Sequence, residues 1–260
     1  MDYLLIFLPG NPSVPEIYDD FLFEIVDGHK NIEVKTLNHL GQSRETVSLK
    51  RKIDLSDVIS HHKKNIREIL EKNKNHKIVL VGHSLGCTIG IEIYKEFQLR
   101  IEKVIMICPF LGPSLNNDKF LKAFERKVSR NAIFALMAGV LINKRVGSLF
   151  FRIWLGKNKK NAHILKNVRK QNFIANFVSL LSSYRKEFSS LDIESKIDLL
   201  EKKKTHFIFA KEDFWVPAEV EKKLSLKFNC EVIDGISHDF CLSSEETKKI
   251  ATRVKRYLEI

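Results

Sequence analysis

Gly82-His83-Ser84-Leu85-Gly86, entered from the apolar run Lys77-Ile78-Val79-Leu80-Val81, constrains this chain more than any other segment. It fits G-x-S-x-G after a buried strand, the sequence form of a nucleophile elbow, in which a serine sits on a sharp strand-to-helix turn. Glycines flank the serine because the turn is strained and packs closely against its neighbours, leaving no room for a Cβ. Downstream, Cys87-Thr88-Ile89-Gly90-Ile91-Glu92-Ile93-Tyr94 reads as an amphipathic helix, so strand, turn and helix are all present.

An elbow serine needs a base and a group that orients the base, and in α/β-hydrolases these follow in the order Ser, acid, His. His206-Phe207-Ile208-Phe209-Ala210 reads as a strand running into Lys211-Glu212-Asp213-Phe214-Trp215-Val216-Pro217. Asp213 is thereby placed at the carboxyl end of a core strand. Glu231-Val232-Ile233 leads into Asp234-Gly235-Ile236-Ser237-His238, which places His238 in a loop before the last helix. Neutral His238 would take the proton of Ser84, while Asp213 fixes its tautomer and stabilises the imidazolium. Glu212, Asp234 and Asp239 are the fallback acids, of which only Glu212 shares the favourable loop. Singly, Asp213 could be a turn former and His238 any surface histidine; their joint order at strand ends is what carries the reading.

The remaining requirement is an oxyanion hole: one N–H from the residue after the nucleophile, one from an early strand–helix loop. Leu85 supplies the first. Leu8-Pro9-Gly10-Asn11-Pro12, after the opening strand Leu4-Leu5-Ile6-Phe7, supplies the second. Pro12 has no N–H to give, so the Asn11 amide is the expected donor. His83 reads as a packing residue rather than a second base.

Phe7-Leu8-Pro9-Gly10-Asn11-Pro12, Asn38-His39-Leu40-Gly41, Val81-Gly82-His83-Ser84-Leu85-Gly86, Asp213-Phe214-Trp215-Val216-Pro217 and Ser237-His238-Asp239-Phe240 together resemble the lipid-droplet-associated hydrolase family, a branch of the serine α/β-hydrolases. The elbow belongs to the whole superfamily; Pro-Gly-Asn-Pro and His-Asp-Phe narrow the choice. The resemblance implies Ser84, Asp213 and His238 as the triad and a lipid ester as substrate. Ser13 departs from the glycine expected after the Pro, and the middle of the chain, where substrate selection would reside, matches poorly. The chain opens on the strand before the oxyanion loop, so the leading hairpin of such folds is expected to be missing.

At 260 residues and 44% hydrophobic content, the chain suffices for one domain carrying an insertion. Cys87, Cys108, Cys230 and Cys241 show no metal-type spacing and read as free thiols in a reducing compartment. Met1-Asp2-Tyr3 lacks a basic leader, and no apolar stretch approaches the ~20 residues that span a bilayer. A cytoplasmic protein is expected, with peripheral attachment to a membrane or lipid surface as an option. No metal or organic cofactor is implied.

Strands alternating with helices imply an α/β-hydrolase fold: a mostly parallel sheet with helices on both faces and an inserted helical cap. Strands are expected at Tyr3–Phe7, Ile32–Thr36, Ile78–Val81, Val104–Cys108, His206–Ala210 and Glu231–Ile233. Helices are expected near Pro15–Val26 and at Leu55–Asn73, Ala218–Phe228 and Ser244–Leu258. Residues 1–112 and 191–260 would form the core and 113–190 the cap. Between Asp118 and Gln171 stand fourteen Lys and Arg against two acids, which accounts for the whole net charge of +12. The same insert holds apolar runs at Ala132–Ile142 and Leu149–Leu155 and a stripe of Phe173, Phe177, Leu180 and Tyr184. The plain reading packs these faces onto the core. The sharper one docks the cap on an anionic lipid surface, where each Lys or Arg contributes ~1 kcal/mol. Nucleic acid ranks last as a partner, since no recognised nucleic-acid fold accompanies the charge. The expectation is a serine hydrolase cleaving carboxylic esters of lipids, acyl or sterol, through an acyl-enzyme on Ser84. The alternatives are a thioesterase with the same triad, or a lipid-surface binding protein with little catalysis.

Overall fold

A computed structural model describes residues 2–42, 53–114, 117–126, 131–132 and 173–258. Its centre is a six-stranded, wholly parallel sheet: β1 (Tyr3–Leu8), β2 (Ile32–Thr36), β3 (Lys77–His83), β4 (Ile101–Ile107), β5 (Thr205–Ala210) and β6 (Asn229–Ile233), in the order β2-β1-β3-β4-β5-β6. Both faces are covered, so the strands are near-continuous apolar runs rather than alternating ones.

Alternate residues along each strand feed two cores. Leu4, Ile6 and Leu8 of β1 point to one face with Ile78, Leu80, Val104, Met106, Phe207 and Phe209. Against them pack α2 (Leu55–Lys72), α3 (Leu85–Phe97), α5 (Phe173–Leu191), α6 (Ile193–Ile197) and α7 (Ala218–Ser225). Helix α4 (Asp118–Glu125) lies between β4 and α5 in the chain and contributes Leu121 to the same cluster. Leu5, Phe7, Val79, Val81, Ile105, Ile107 and Ile208 face the other way, onto a 3-10 turn at Pro15–Tyr18, α1 (Asp19–Val26) and α8 (Ser244–Leu258). Burial of a Val, Leu, Ile or Phe side chain contributes about 1.5–3 kcal/mol each, and it is this double layer that makes the strand ends rigid mounts.

Expected and observed elements agree in kind and order and differ at their ends. The region near Pro15–Val26 begins as a 3-10 turn at Pro15–Tyr18 before becoming helical at Asp19, and Pro15 is tolerated there because the first N–H of a helix has no partner within it. β4 starts at Ile101, three residues before the expected Val104, and stops before Cys108, whose backbone turns to φ 46°. α7 ends at Ser225 rather than Phe228. α2 carries Val58, Ile59, His62, Ile66 and Leu70 on its buried face, as its spacing indicates, and starts from an Asp54–Asp57 capping box. Cys87, Cys108 and Cys241 are buried and Cys230 half-buried, all as free thiols.

The chain goes from β1 outward to β2 and then back across to β3. Strand order therefore reverses between β1 and β3, and ligands of open α/β sheets bind at the carboxyl ends of the strands beside such a switch. Among the described residues no helix is long and apolar enough to cross a membrane.

Candidate active site

Ser84 occupies that switch point. It follows β3 directly and has φ 53° and ψ −118°, a strained conformation for a residue with a Cβ. Three backbone bonds hold it. The Ser84 N–H donates to Ile107 O at 3.0 Å, and its carbonyl accepts from the amides of Cys87 (3.0 Å) and Phe110 (3.2 Å). A serine at a helix N-cap ordinarily uses its hydroxyl to cap. Ser84 makes no such bond; its Oγ instead lies 2.9 Å from His238 Nε2. The flanking glycines are required by space. A Cβ on Gly86 would stand 2.0 Å from the Leu8 carbonyl oxygen, and one on Gly82 would stand 2.8 Å from Gly86 O.

His238 is delivered by the loop after β6 and Asp213 by the loop after β5. His238 Nδ1 lies 2.8 and 3.0 Å from the two Asp213 oxygens. A carboxylate can only accept, so Nδ1 carries the proton and Nε2 is left bare to accept the Ser84 O–H. Asp213 is nearly closed off from solvent, its side chain 1% exposed, and Oδ1 also accepts the amides of Trp215 (2.8 Å) and Val216 (3.1 Å). Of the fallback acids, Glu212 and Asp239 are exposed and Asp234 pairs with Lys211 at 2.9 Å.

The loop after β1 closes the other side. Gly10 packs so tightly that a Cβ there would be 3.2 Å from the Ser84 Cβ. Its N–H donates to the Tyr18 hydroxyl at 3.3 Å, which leaves Asn11 as the next amide before Pro12. Gln42 clamps this loop: its Nε2 donates to Asn11 Oδ1 (2.9 Å) and its Oε1 accepts the Ser13 N–H (2.6 Å). Ser13 is fully buried, and its Oγ accepts the His39 N–H at 3.2 Å. Leu85 opens α3, where its N–H has no carbonyl one turn back within the helix and the dipole favours negative charge. Nothing in the local sequence marks Gln42; it reaches the loop from 31 positions away.

Aromatic side chains wall the site. Phe110 packs on Tyr184 (ring centroids 5.5 Å), Phe188 (5.2 Å) and Trp215 (6.0 Å), and Trp215 lies 6.3 Å from the His238 ring. Leu180 and Tyr184 of the stripe are buried and Phe177 half-buried; nothing of the Phe173 side chain falls within the described residues. Burial pushes the Tyr184 phenol well up, the Asn11 side chain opposing in part. Among the described residues the donor atoms close enough to share a metal ion are those of Cys108, Asp213 and His238, within 4.8 Å of one another. Two of these already hydrogen-bond each other, and burial pushes the Cys108 thiol well above its ordinary value, which disfavours the thiolate a metal needs. Residues 133–172 of the expected cap, including the run at 149–155 and most of that at 132–142, lie outside the described residues.

The comparisons with known proteins agree with this architecture. The model of a family described as lipid-droplet-associated hydrolase matches residues 1–241. The chain belongs to the lipid-droplet-associated hydrolase family. Among solved structures it resembles the peroxisomal α/β-hydrolase Lpx1 of Saccharomyces cerevisiae, with a TM-score of 0.73 and 14% identity over 99% of this chain and 76% of that one. An α/β-hydrolase enzyme from a Medee basin deep-sea metagenome library gives 0.72 and 15%, over 100% and 90%. An epoxide hydrolase of Vigna radiata gives 0.70 and 11%, over 100% and 92%. At such identities these likenesses speak for the fold alone; the chain is a hydrolase of the α/β-hydrolase superfamily through its family membership.

Proposed function

We propose that this member of the family is a serine hydrolase that cleaves carboxylic esters of lipids, acyl or sterol, through an acyl-enzyme on Ser84. The observation that carries the reading is the pair of contacts on one imidazole: Ser84 Oγ at 2.9 Å from Nε2 and Asp213 at 2.8 Å from Nδ1. Ser84 Oγ attacks the ester carbonyl while His238 Nε2 takes its proton. Asp213 holds the Nδ1–H tautomer and stabilises the imidazolium. The carbonyl oxygen turns negative and is received by the backbone N–H groups of Asn11 and Leu85. His238 then returns the proton to the departing alcohol. A water deprotonated by the same nitrogen frees the acid and restores Ser84.

The aromatic wall of Phe110, Tyr184, Phe188 and Trp215 supports an apolar acyl or alcohol part, since such surfaces favour ligands that remove them from water. Residues 113–190 serve as the cap. Their basic charge, together with the family's description, supports a protein that works at an anionic lipid surface. The test is hydrolysis of p-nitrophenyl esters of graded acyl length, with acyl thioesters alongside. Turnover that rises beyond the shortest acyl groups is expected. A folded protein that turns over no ester, or thioesters only, overturns the reading.

A further inference from the structure

His83, the last residue of β3, sits between the loops after β1 and β6, its ring centroid 5.2 Å from that of His238. Its Nε2 lies 3.0 Å from the backbone carbonyl of His238, and its Nδ1 lies 2.7 Å from the Tyr18 hydroxyl. Tyr18 in turn accepts the Gly10 N–H at 3.3 Å. Both side chains are buried, at 3% and 2% exposure, against Phe7 and Phe240.

The chemistry of the partners fixes every proton. A carbonyl oxygen only accepts, so His83 Nε2 carries the hydrogen and Nδ1 is bare. A bare Nδ1 must receive the Tyr18 O–H. The Tyr18 oxygen, its own hydrogen spent, then has lone pairs for the Gly10 N–H. Burial keeps both groups in the required forms: it holds His83 well below its ordinary value and therefore neutral, and it pushes the Tyr18 phenol up, with the Cys241 thiol adding to the effect. Neither nitrogen of His83 is free to act as a base.

We propose that Tyr18 and His83 are positioning residues that tie the oxyanion loop at Gly10 to the loop of the base at His238. The strut runs Gly10 N–H to Tyr18 O–H to His83, and His83 Nε2–H to the His238 carbonyl. It spans the elbow, because His83 is the residue before Ser84. One rigid connection thus sets the separation between the oxyanion donor, the nucleophile and the imidazole. The inference rests on the catalytic reading above; what it adds is the reason that three loops from separate strands hold a common geometry.

Two side-chain exchanges separate positioning from packing. His83→Leu fills the same apolar surroundings but loses both hydrogen bonds, whereas His83→Gln keeps an amide N–H near the Nε2 position. On p-nitrophenyl butyrate the strut predicts that His83→Leu lowers kcat by about 100-fold, the scale of a small misplacement in a catalytic array, with KM changed less than about twofold. His83→Gln recovers a large part of kcat, and Tyr18→Phe falls between them. A packing role predicts the reverse order, Leu tolerated and Gln harmful, and that result overturns the proposal. Should His83→Leu fail to fold, nitrogen-15 NMR of the wild-type histidines decides. An Nε2–H tautomer of His83 unchanged from pH 5 to 9 is expected; an Nδ1–H tautomer, or a titrating ring, overturns the strut. That measurement needs no turnover, so a wild-type protein without esterase activity would reject the catalytic reading and leave the hydrogen-bond chain to be judged separately.

Discussion

Asp213 Oδ2 makes the shorter contact to His238 Nδ1, 2.8 Å against 3.0 Å for Oδ1, while Oδ1 also accepts the Trp215 amide at 2.8 Å, so the backbone of the loop fixes which oxygen is nearer the imidazole. An asparagine at this position would be oriented by the same two amides. Its oxygen would stay with Trp215 and Val216, and its NH2 would point at Nδ1. The ring would then have to carry its proton on Nε2, against Ser84. Asp213→Asn is expected to lower kcat by about 10⁴-fold, as when a triad carboxylate is replaced and the tautomer is wrong. Glu212→Gln, an exposed neighbour, should leave kcat near wild type. Steady-state kinetics of the two variants check the assignment; the opposite pattern would move the acid to Glu212.

Asn11 offers two separable groups. Its N–H is the proposed oxyanion donor, and its side-chain oxygen is held by Gln42 at 2.9 Å. Asn11→Pro removes the N–H and should cost at least about 2–4 kcal/mol of transition-state stabilisation, the range for one lost donor. Asn11→Ala keeps the N–H but strands the Gln42 amide, so a loss of about 1 kcal/mol in stability is expected with a much smaller effect on kcat. Kinetics and urea unfolding of both variants, with a crystal structure of the Pro variant, distinguish the two. Equal and severe kinetic losses would show that the side chain matters rather than the amide.

Stability should fall as the solution is made mildly acidic. His39 and His62 are fully buried, with His39 Nδ1 3.0 Å from His62 Nε2, and burial holds His39 at about 3 and His62 well below its ordinary value. His83 is depressed likewise, first by burial and then by His238. An unfolded histidine titrates near 6.5. Between that value and the folded one the unfolded chain binds more protons. The stabilisation is therefore complete above about pH 6.5 and is lost as pH falls toward the folded values. Each of these rings contributes up to about 1.4 kcal/mol per pH unit in that window. Urea unfolding at pH 7.5 and 5.0 should show a loss of several kcal/mol, above the range where most carboxylates titrate. The pair variant His39→Gln with His62→Gln should flatten the slope. A wild-type stability that is level over this range would contradict the account.

The meeting of Ser84, Asp213 and His238, on which the proposed triad rests, was legible because each is tied to a local signal: a G-x-S-x-G after an apolar strand, an acid just past another strand, a histidine before the last helix. The six strands were legible for a similar reason, since a sheet covered on both faces needs continuous apolar runs such as Leu4–Leu8 and Ile78–Val81. What could not be read is the network that joins side chains distant in sequence. The sequence around His83 indicates packing, and His83 does pack against Phe240, yet both its nitrogens are engaged by groups 65 and 155 positions away. The Gln42 bonds to the loop after β1 and the His39–His62 pair are of the same kind. His62 stood on the apolar face of α2, which signals burial, but periodicity gives no partner.

Proposed docking on lipid makes a claim about residues of the basic insert. Binding to liposomes should rise with anionic lipid content and fall as salt is added, because surface attraction decays within a Debye length of about 10 Å at 0.1 M. Changing Lys157, Lys159 and Lys160 together to Glu should weaken that binding by about a hundredfold or more, at ~1 kcal/mol for each of the three charges lost. Hydrolysis of a short soluble ester should be unaffected. Co-sedimentation at low and high salt measures it, and a wild-type protein that ignores anionic liposomes at low salt would reduce the cap to a cover for the site.

The most direct measurement is covalent. A fluorophosphonate reacts with a serine only where a base has activated it and an oxyanion hole receives the developing charge. Wild-type protein treated with the probe and analysed by peptide mass spectrometry should carry a single adduct, on Ser84. Ser84→Ala, folded and otherwise intact, should carry none and should lose ester hydrolysis. A wild-type protein that stays unlabelled, or an adduct that persists in Ser84→Ala, would contradict the assignment of Ser84 as nucleophile.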